Sequence, residues 1–462
     1  MIANLKPYPK MKDSGVEWLG QMPEHWDIRR FKYILRECDQ RSSTGNEQLL
    51  KVSQYTGVTK RKNIDQAGIP DSRAESLIGY KSIKPNDLVV NIMLAWNGSM
   101  GVSYYQGICS PAYCVYRFKA DLEPWYFHNL LRSPNFKARI KGLSTGVVES
   151  RLRLYTDDLY RMEAIIPPLP EQAAIVRYLD YMGRRIKRLI RAKKKLIALL
   201  TEQKQAIIHQ AVTRGLDPDV PLKDSGVEWL GMIPEHWEVT RVKTEFQCLN
   251  SRRIPLSSTE RGAMTLRKYD YYGASGIIDK VDNYLFNDEL LLVAEDGANL
   301  VLRNLPLAII ARGKFWVNNH AHILKPKRGN IEFLAAVMES LNYKPWISGA
   351  AQPKLTKDRI LAIAIAVPSP NEQDMIIDSV NAEIAPLRSA IIRAQREIDL
   401  LTEYRTRLIA DVVTGKLDVR EAAAALPEFD PLADDMEAED SMDVDAEEIL
   451  EDIEPVEGEV EI

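Results

Sequence analysis

The 462-residue chain is poor in the residues that make metal sites and disulfides. Its four cysteines, Cys38, Cys109, Cys114 and Cys248, form no Cys-x-x-Cys pair and have no matching His-x-x-x-His. Ordinary buried or surface thiols are therefore expected, with neither zinc nor a disulfide framework. No apolar run reaches about 18 residues, and no basic start is followed by an apolar core of leader length, so no membrane partner and a cytoplasmic location are expected. The Gly-Lys pairs at 313 and 415 continue with Phe and Leu, which excludes a P-loop for nucleoside triphosphates, and no Gly-x-Gly-x-x-Gly follows a strand. The stretch "SPAY" (Ser110 to Tyr113) superficially resembles the loop with which amino-methyltransferases hold a flipped base. Its third residue is Ala and no glycine-rich loop precedes it, so it reads as the start of a strand. His320 and His322 alternate as if on one face of a strand but lack a third ligand, which favours core or DNA-facing histidines over metal. His25 and His236 have no acidic or nucleophilic partner at a defined spacing. The chain reads as a protein without an active site of its own.

What it has in abundance is repetition. "DSGVEWLGQMPEHW" (Asp13 to Trp26) returns as "DSGVEWLGMIPEHW" (Asp224 to Trp237), 211 residues on and with two differences. "LLTEQKQAIIHQAVTRGLD" (Leu199 to Asp217) aligns without a gap to "LLTEYRTRLIADVVTGKLD" (Leu400 to Asp418), at an offset of 201. Glu171-Gln172 and Glu372-Gln373 keep that second offset, each after a proline-rich turn, "PPLPEQ" and "VPSPNEQ". Self-similarity at such offsets marks a duplicated unit. The two units share their ends and differ in their centres, roughly 27 to 166 and 238 to 366.

Charge is segregated along the chain. The formal net charge is −4, but residues 421–462 hold eighteen Asp and Glu and no Lys or Arg, leaving 61 basic against 47 acidic residues over 1–420. A basic body is the footprint of nucleic-acid binding, because neutralised phosphates release counterions. The acidic tail has the composition of a disordered segment, with solubility a simpler role for it than DNA mimicry.

The repeated ends are helical. Val380, Ile384, Leu387, Ile391, Ala394, Ile398, Leu401, Arg405, Leu408 and Val412 step alternately by four and three. That heptad seam marks a coiled coil. In the first copy Leu179, Gly183, Ile186, Ile190, Lys193, Ile197, Leu200, Lys204, Ile207 and Ala211 follow the same steps, weakened by the glycine and the lysines. Pro386 lacks a backbone donor, so the second copy is predicted to form a short helix, a kink or break there, and then a helix of about 28 residues, roughly 42 Å long. The two helices are expected to pair antiparallel, relating the halves by a pseudo-twofold axis. The repeated "EWLG..PEHW" is expected to be a structural clasp packed against the coiled coil where each domain begins. The centres alternate strand-like runs ("DLVVNIML", "AYCVYRF", "ELLLVAE", "LAIIARGKFWV") with helical ones ("EPWYFHNLLRS", "NIEFLAAVMESL"), which predicts compact α+β domains.

Together the paired "DSGVEWLGxxPEHW" blocks, the proline-rich Glu-Gln turns and the helix ends "AVTRGLD" and "VVTGKLD" closely resemble the specificity subunit of type I restriction-modification systems. The resemblance covers residues 12 to 420. It implies an α+β chain with a target recognition domain at 1–166, a helical spacer at 167–218, a second recognition domain at 219–366, a second spacer at 367–420, and the acidic tail outside the pattern. It further implies double-stranded DNA as ligand, read as an asymmetric bipartite site with one domain per half-site and the helix length setting the gap. Two modification subunits, and restriction or translocase subunits, are the implied protein partners. No cofactor is expected in this chain; S-adenosylmethionine for adenine N6 methylation, ATP and Mg would sit on those partners. A standalone DNA-binding coiled-coil scaffold without a methyltransferase partner is the alternative.

Phosphate contacts come from Lys and Arg, and base-edge contacts from Arg, Lys, Asn or Gln in loops. On that ground the candidate DNA-binding residues of the first domain are Lys60, Arg61, Lys62, Asn97 in "AWNGSMG", and Arg151 and Arg153 in "STGVVESRLRL". Those of the second are Arg252, Arg253, Arg267, Lys268, Asn299, Lys314, Asn318, Asn319, and Gln352 and Lys354 in "SGAAQPKLT". The loops at 144 to 156 and 348 to 356 hold equivalent places before the proline-rich turn.

Overall fold

The computed structural model describes residues 5–61, 76–119, 122–146, 152–349 and 353–427. Residues 1–193 with 396–462 form one compact unit, and residues 194–395 form the other. Both divisions fall inside a long helix, Leu169–Arg214 and Pro370–Val413. Each unit therefore contains the first part of one long helix and the last part of the other.

In the first unit the repeated block folds as a small hairpin, Met11–Asp13 paired with Gln21–Pro23. Its turn follows from the sequence: the Asp13 carboxylate accepts from Gly15 N at 2.8 Å, and Gly15 and Gly20 take φ of +70° and +68°, where glycine carries no Cβ penalty. Asp27–Arg30 then pairs with Glu163–Ile166, which brings the domain's end beside its beginning. Between them stands an antiparallel sheet in the order Leu35–Cys38, Tyr113–Phe118, Leu88–Asn91, Met100–Val102, with "SPAY" forming the turn into its second strand. Helices Pro124–Leu131 and Pro134–Leu143 bury Tyr126, Phe127, Leu130, Phe136 and Ile140 against it.

The second unit repeats this frame around a different centre. Leu222–Asp224 pairs with Met232–Pro234, Asp224 accepts from Gly226 N at 2.9 Å, and Glu238–Arg241 pairs with Ala364–Val367. The centre is a six-stranded sheet, ordered Phe246–Cys248, Ala321–Pro326, Phe286–Ala294, Ala308–Val317, Tyr269–Gly273, Gly276–Val281, with one parallel pair between the fourth and fifth. Helix Ile331–Ser340 covers it through Phe333, Leu334, Val337 and Met338.

The long helices pair antiparallel within each unit. In the first, Leu179 and Met182 share a core with Leu408 and Val412, Ile186 is buried, and Lys193 meets Glu397 at 2.6 Å, so the polar residue that weakens the seam has an ionic partner there. In the second, Ala211 and Val212 share a core with Ile376, Val380 and Ile384. The break expected at Pro386 does not occur: Pro370–Val413 is one helix of 44 residues with the proline inside. Pro386 and Ala382, whose carbonyl loses its donor, are both exposed, so the loss falls on the solvent side of the helix while Ile384 stays buried on the core side. The residues with which the acidic segment opens are folded onto the first unit. Arg420–Ala424 is helical, Ala423 is buried, and Arg177 donates to the carbonyls of Leu426 and Pro427 at 2.9 and 3.2 Å.

Candidate nucleic-acid interface

The repeated motifs are structural, and their chemistry is the same in both units. In the first, Glu171 opens the long helix and is 5 % exposed, where its carboxylate accepts from Trp26 Nε1 at 3.1 Å, from the Tyr8 hydroxyl, and pairs with His25 Nε2 at 2.8 Å. Glu372 likewise takes Trp237 Nε1 at 3.1 Å and His236 at 3.0 Å. The neighbouring glutamines bridge the other way. Gln172 donates to Pro167 O at 2.8 Å and accepts from Glu123 N at 2.9 Å, while Gln373 donates to Pro368 O at 3.0 Å and accepts from Asn330 N at 2.9 Å. Glu123 and Asn330 are the N-caps of the domain helices. Each Glu-Gln pair thus ties a helix start to both the clasp and the domain. The far helix end closes the same joint: Gly415, at φ +76°, lies so near Pro23 and Trp26 that a Cβ would collide, and Gly215, also at +76°, faces Trp237.

On this frame two loops are held alike. Thr145 and Arg153 exchange backbone hydrogen bonds of 3.0 and 2.9 Å, as Ser348 and Lys354 do at 2.9 and 2.8 Å. The next residue is a buried leucine in each case, and Leu154 N donates to Ile92 O as Leu355 N donates to Glu295 O. Arg153 and Lys354 therefore occupy equivalent exposed positions beside the turn that follows a central strand. Arg151 and Gln352 at the loop tips, and Lys62, lie outside the described residues.

Several cations rest on aromatic rings, which limits the freedom of the long side chain and keeps its charge at the surface. Lys60 lies 4.9 Å from the Tyr105 ring centre and Lys141 lies 5.3 Å from that of Trp96. In the second unit Lys268 lies over Tyr269 and Lys314 over Tyr284 at 5.5 and 4.8 Å, and those two rings touch at 5.1 Å. Arg252 sits 4.9 Å over Phe286. Lys268 and Lys314 thus form one cation-aromatic patch, the basic surface with interleaved aromatics that suits a nucleic acid. Arg267 flanks it at φ +41°, half exposed and 3.7 Å from Asp279. Asn319 is exposed, and Arg61 N is bonded to Leu49 O at 2.8 Å.

Other candidates turn inward. Arg253 donates to Glu295, and to the carbonyls of Asn250, Asn319 and Ala321 at 3.2, 3.1 and 2.9 Å, so its guanidinium is a brace rather than a surface reader. Burial opposes charge on Glu295, but Arg253, His322 and Lys354 outweigh it and hold the carboxyl below its ordinary range. Asn318 is buried and accepts from His320 N at 2.8 Å. Asn299 is spent on both polar groups of Leu305, and the Asn97 carboxamide oxygen on Ser99. In each case an asparagine read as a base contact is a loop brace, because its short carboxamide reaches nearby backbone first. His320 and His322 do not share a strand face: His320 is in the preceding turn against Asp296 at 2.9 Å, and His322 is buried between Asn250 and Leu355 O. Burial lowers its pKa. Among the described residues no group of three His, Cys, Asp or Glu could hold a metal.

Sequence reasoning missed Arg132. Its guanidinium donates to the carbonyls of Ser53, Gln54, Tyr55, Gly98 and Met100 and shapes the "AWNGSMG" turn. Burial and the charge of Arg405 lower its pKa to about 10. No local pattern signals it, because all five acceptors are backbone and come from two distant loops.

Residues 234–385 match the family model for the type I restriction modification DNA specificity domain. The type I restriction enzyme MjaX specificity subunit of Methanocaldococcus jannaschii is 23% identical over 438 residues, covering 87% of this chain and 96% of that one. The second unit thus carries a stretch that matches the type I specificity domain, and the chain is similar to type I specificity subunits along most of its length. A specificity subunit of Haemophilus influenzae is 33% identical over 163 residues, which are 35% of this chain and 38% of that protein. The fold agrees with a solved structure described as the basis of complex assembly and conformational transition of the type I R-M system, with a TM-score of 0.59 at 15% identity over 86% of this chain and 99% of that one. Members of this family are recognition components without catalysis, which accords with the helix-tethered α+β units of this fold. Among the described residues no helix is long and apolar enough to cross a membrane.

Proposed function

We propose that this chain is a type I specificity subunit, a cytoplasmic protein that directs a type I complex to an asymmetric bipartite DNA site, each unit reading one half-site. The observation that carries the reading is the pairing of one repeated frame with two different centres, each presenting a cation, Arg153 or Lys354, from an equivalently closed loop. One frame with two unlike readers calls for two unlike half-sites. Lys60, Arg153, Arg252, Lys268, Lys314 and Lys354 are the proposed phosphate and base-edge contacts, with Arg61, Arg267 and Asn319 beside them and the loop residues Lys62, Arg151 and Gln352 retained on their sequence positions. The chain docks two modification subunits, which methylate adenine N6 from S-adenosylmethionine, while restriction subunits supply ATP- and Mg-dependent translocation and cleavage.

The test is to express the chain with its modification subunit in a methylation-free host and map N6-methyladenine across the genome. A split motif that vanishes without this chain is the expected result. Methylation unaffected by the chain, or absent despite a stable complex, would overturn the proposal and favour a standalone DNA-binding scaffold.

A further inference from the structure

In the second unit the turn that leads into strand Tyr269–Gly273 carries Leu266 at its tip. Leu266 is 75% exposed, more than any other large apolar side chain among the described residues. An exposed leucine by itself is ordinary, but the setting of this one is not. The Asp282 carboxylate accepts from Thr265 N at 3.2 Å and from Arg267 N at 2.8 Å, one amide on each side of Leu266. These amides, Arg267 first, hold the carboxyl below its ordinary range. Lys268 N donates to Val281 O at 3.0 Å, and Arg267 is held at φ +41°, in the left-handed region that an L side chain enters only at a cost. Arg261 and Arg267 close the base of the turn on Asp279 at 3.0 and 3.7 Å. The backbone is therefore fastened to strand Gly276–Val281 and to Asp282 beyond it, while the leucine points away from the core. The tip also adjoins the cation-aromatic patch of Lys268 over Tyr269 and Lys314 over Tyr284, since Lys268 is two residues on, within about 7 Å along the chain.

We propose that Leu266 is the apolar base contact of the second unit, entering a groove of the half-site read by that unit and packing on the apolar surface of a base. This assignment rests on the proposed reading of one half-site per unit. A duplex whose phosphates engage Arg267 and Lys268 brings its bases to the residue beside them, and Leu266 has no group with which to bond a phosphate. The base surface it covers is a thymine 5-methyl in the major groove or the face of a base at an opened step. Both offer the same chemistry, apolar area that leaves water together with the leucine. The braced turn loses little freedom on binding, so the contact discriminates between sequences without a prior ordering of the loop.

The experiment uses the chain assembled with its modification subunit. The methylated motif is mapped for the unmodified chain and for Leu266→Ala, and both complexes are titrated with the mapped duplex and with a random-sequence duplex. At so exposed a position the variant should keep its melting temperature. It should relax about one or two adjacent base pairs of one half-site and leave the other half intact. Affinity for the mapped duplex should fall about tenfold, against less than about twofold for the random one, because no charge is removed. Deoxyuridine in place of thymine at the relaxed positions weakens the unmodified chain but not the variant if the surface is a methyl. A rise in 2-aminopurine fluorescence that only the unmodified chain produces identifies an opened step. Neither response, an unchanged motif in the variant, or equal losses on both duplexes would overturn the contact and leave the bipartite reading standing. A methylated motif that is not split, obtained with the unmodified chain, would overturn that reading and this contact with it.

Discussion

The two clasps share a sequence but not a burial, and that difference makes a quantitative prediction. Glu171→Ala removes the acceptor of donors on two buried residues, Tyr8 at 4 % exposure and Trp26 at 0 %. An orphaned buried donor costs about 1–3 kcal/mol, so the pair costs ~2–5 kcal/mol, while His25, whose side chain is 42% exposed, turns to water at little cost. Glu372→Ala orphans only Trp237 Nε1, because His236 is 53% exposed and Asp219 stands where the first copy has Tyr8. Its cost is about 1–2 kcal/mol on the same scale. Urea unfolding followed by tryptophan fluorescence, with amide exchange assigning the loss to a unit, reads both values. Glu171→Gln, which keeps an acceptor, should recover more than half the loss. An equal or larger penalty from Glu372→Ala would refute the argument that donor burial, rather than the motif, sets the strength of the joint.

Two further outcomes concern half-buried basic residues in the first unit. Arg132→Met strands five carbonyls and should cost about 3–5 kcal/mol, with the first loss of amide protection at Gly98 to Val102; intact protection there would show that the turn holds itself. His128 is half-buried and accepts from Val102 N at 3.1 Å, and desolvation, then the charges of Arg132 and Arg405, lower its pKa from 6.5 to about 3. The unfolded chain takes this proton below pH 6.5 and the folded one does not until about pH 3. The stability contributed by neutral His128 is therefore complete above 6.5 and is lost as pH falls through that window, at up to about 1.4 kcal/mol per pH unit. His128→Gln should flatten the stability curve between pH 4 and 6 relative to the unmodified chain, and an unchanged slope would show that this imidazole is not the group that titrates.

The division between what is local and what is not runs through individual residues. The hairpin turns around Gly15 and Gly226, the heptad seam and the strand runs were legible because backbone conformation, helical period and alternation are properties of neighbouring residues. The loops at 144 to 156 and 348 to 356 were recognisable as equivalent because both precede a motif at the same offset. The roles of the asparagines were not, since residue type alone does not say whether a loop carboxamide faces DNA or takes nearby backbone, Leu305 for Asn299 and His320 for Asn318. Arg253 and Arg132 failed to show because their acceptors lie on segments distant in sequence. Pro386 was misjudged because a local rule about the lost donor took no account of the exposed face on which the loss falls.

By itself, then, the sequence determined that two copies of one frame exist, that they are helix-tethered, and that they carry different centres, because identity at fixed offsets and heptad spacing survive without coordinates. Only the tertiary structure decided why Glu171 and Gln172 sit where they do, which cations stay at the surface over aromatic rings, and which turn inward. Those outcomes depend on contacts between segments separated in sequence, by 34 residues for Arg252 with Phe286 and by 145 for Trp26 with Glu171, which no local pattern encodes.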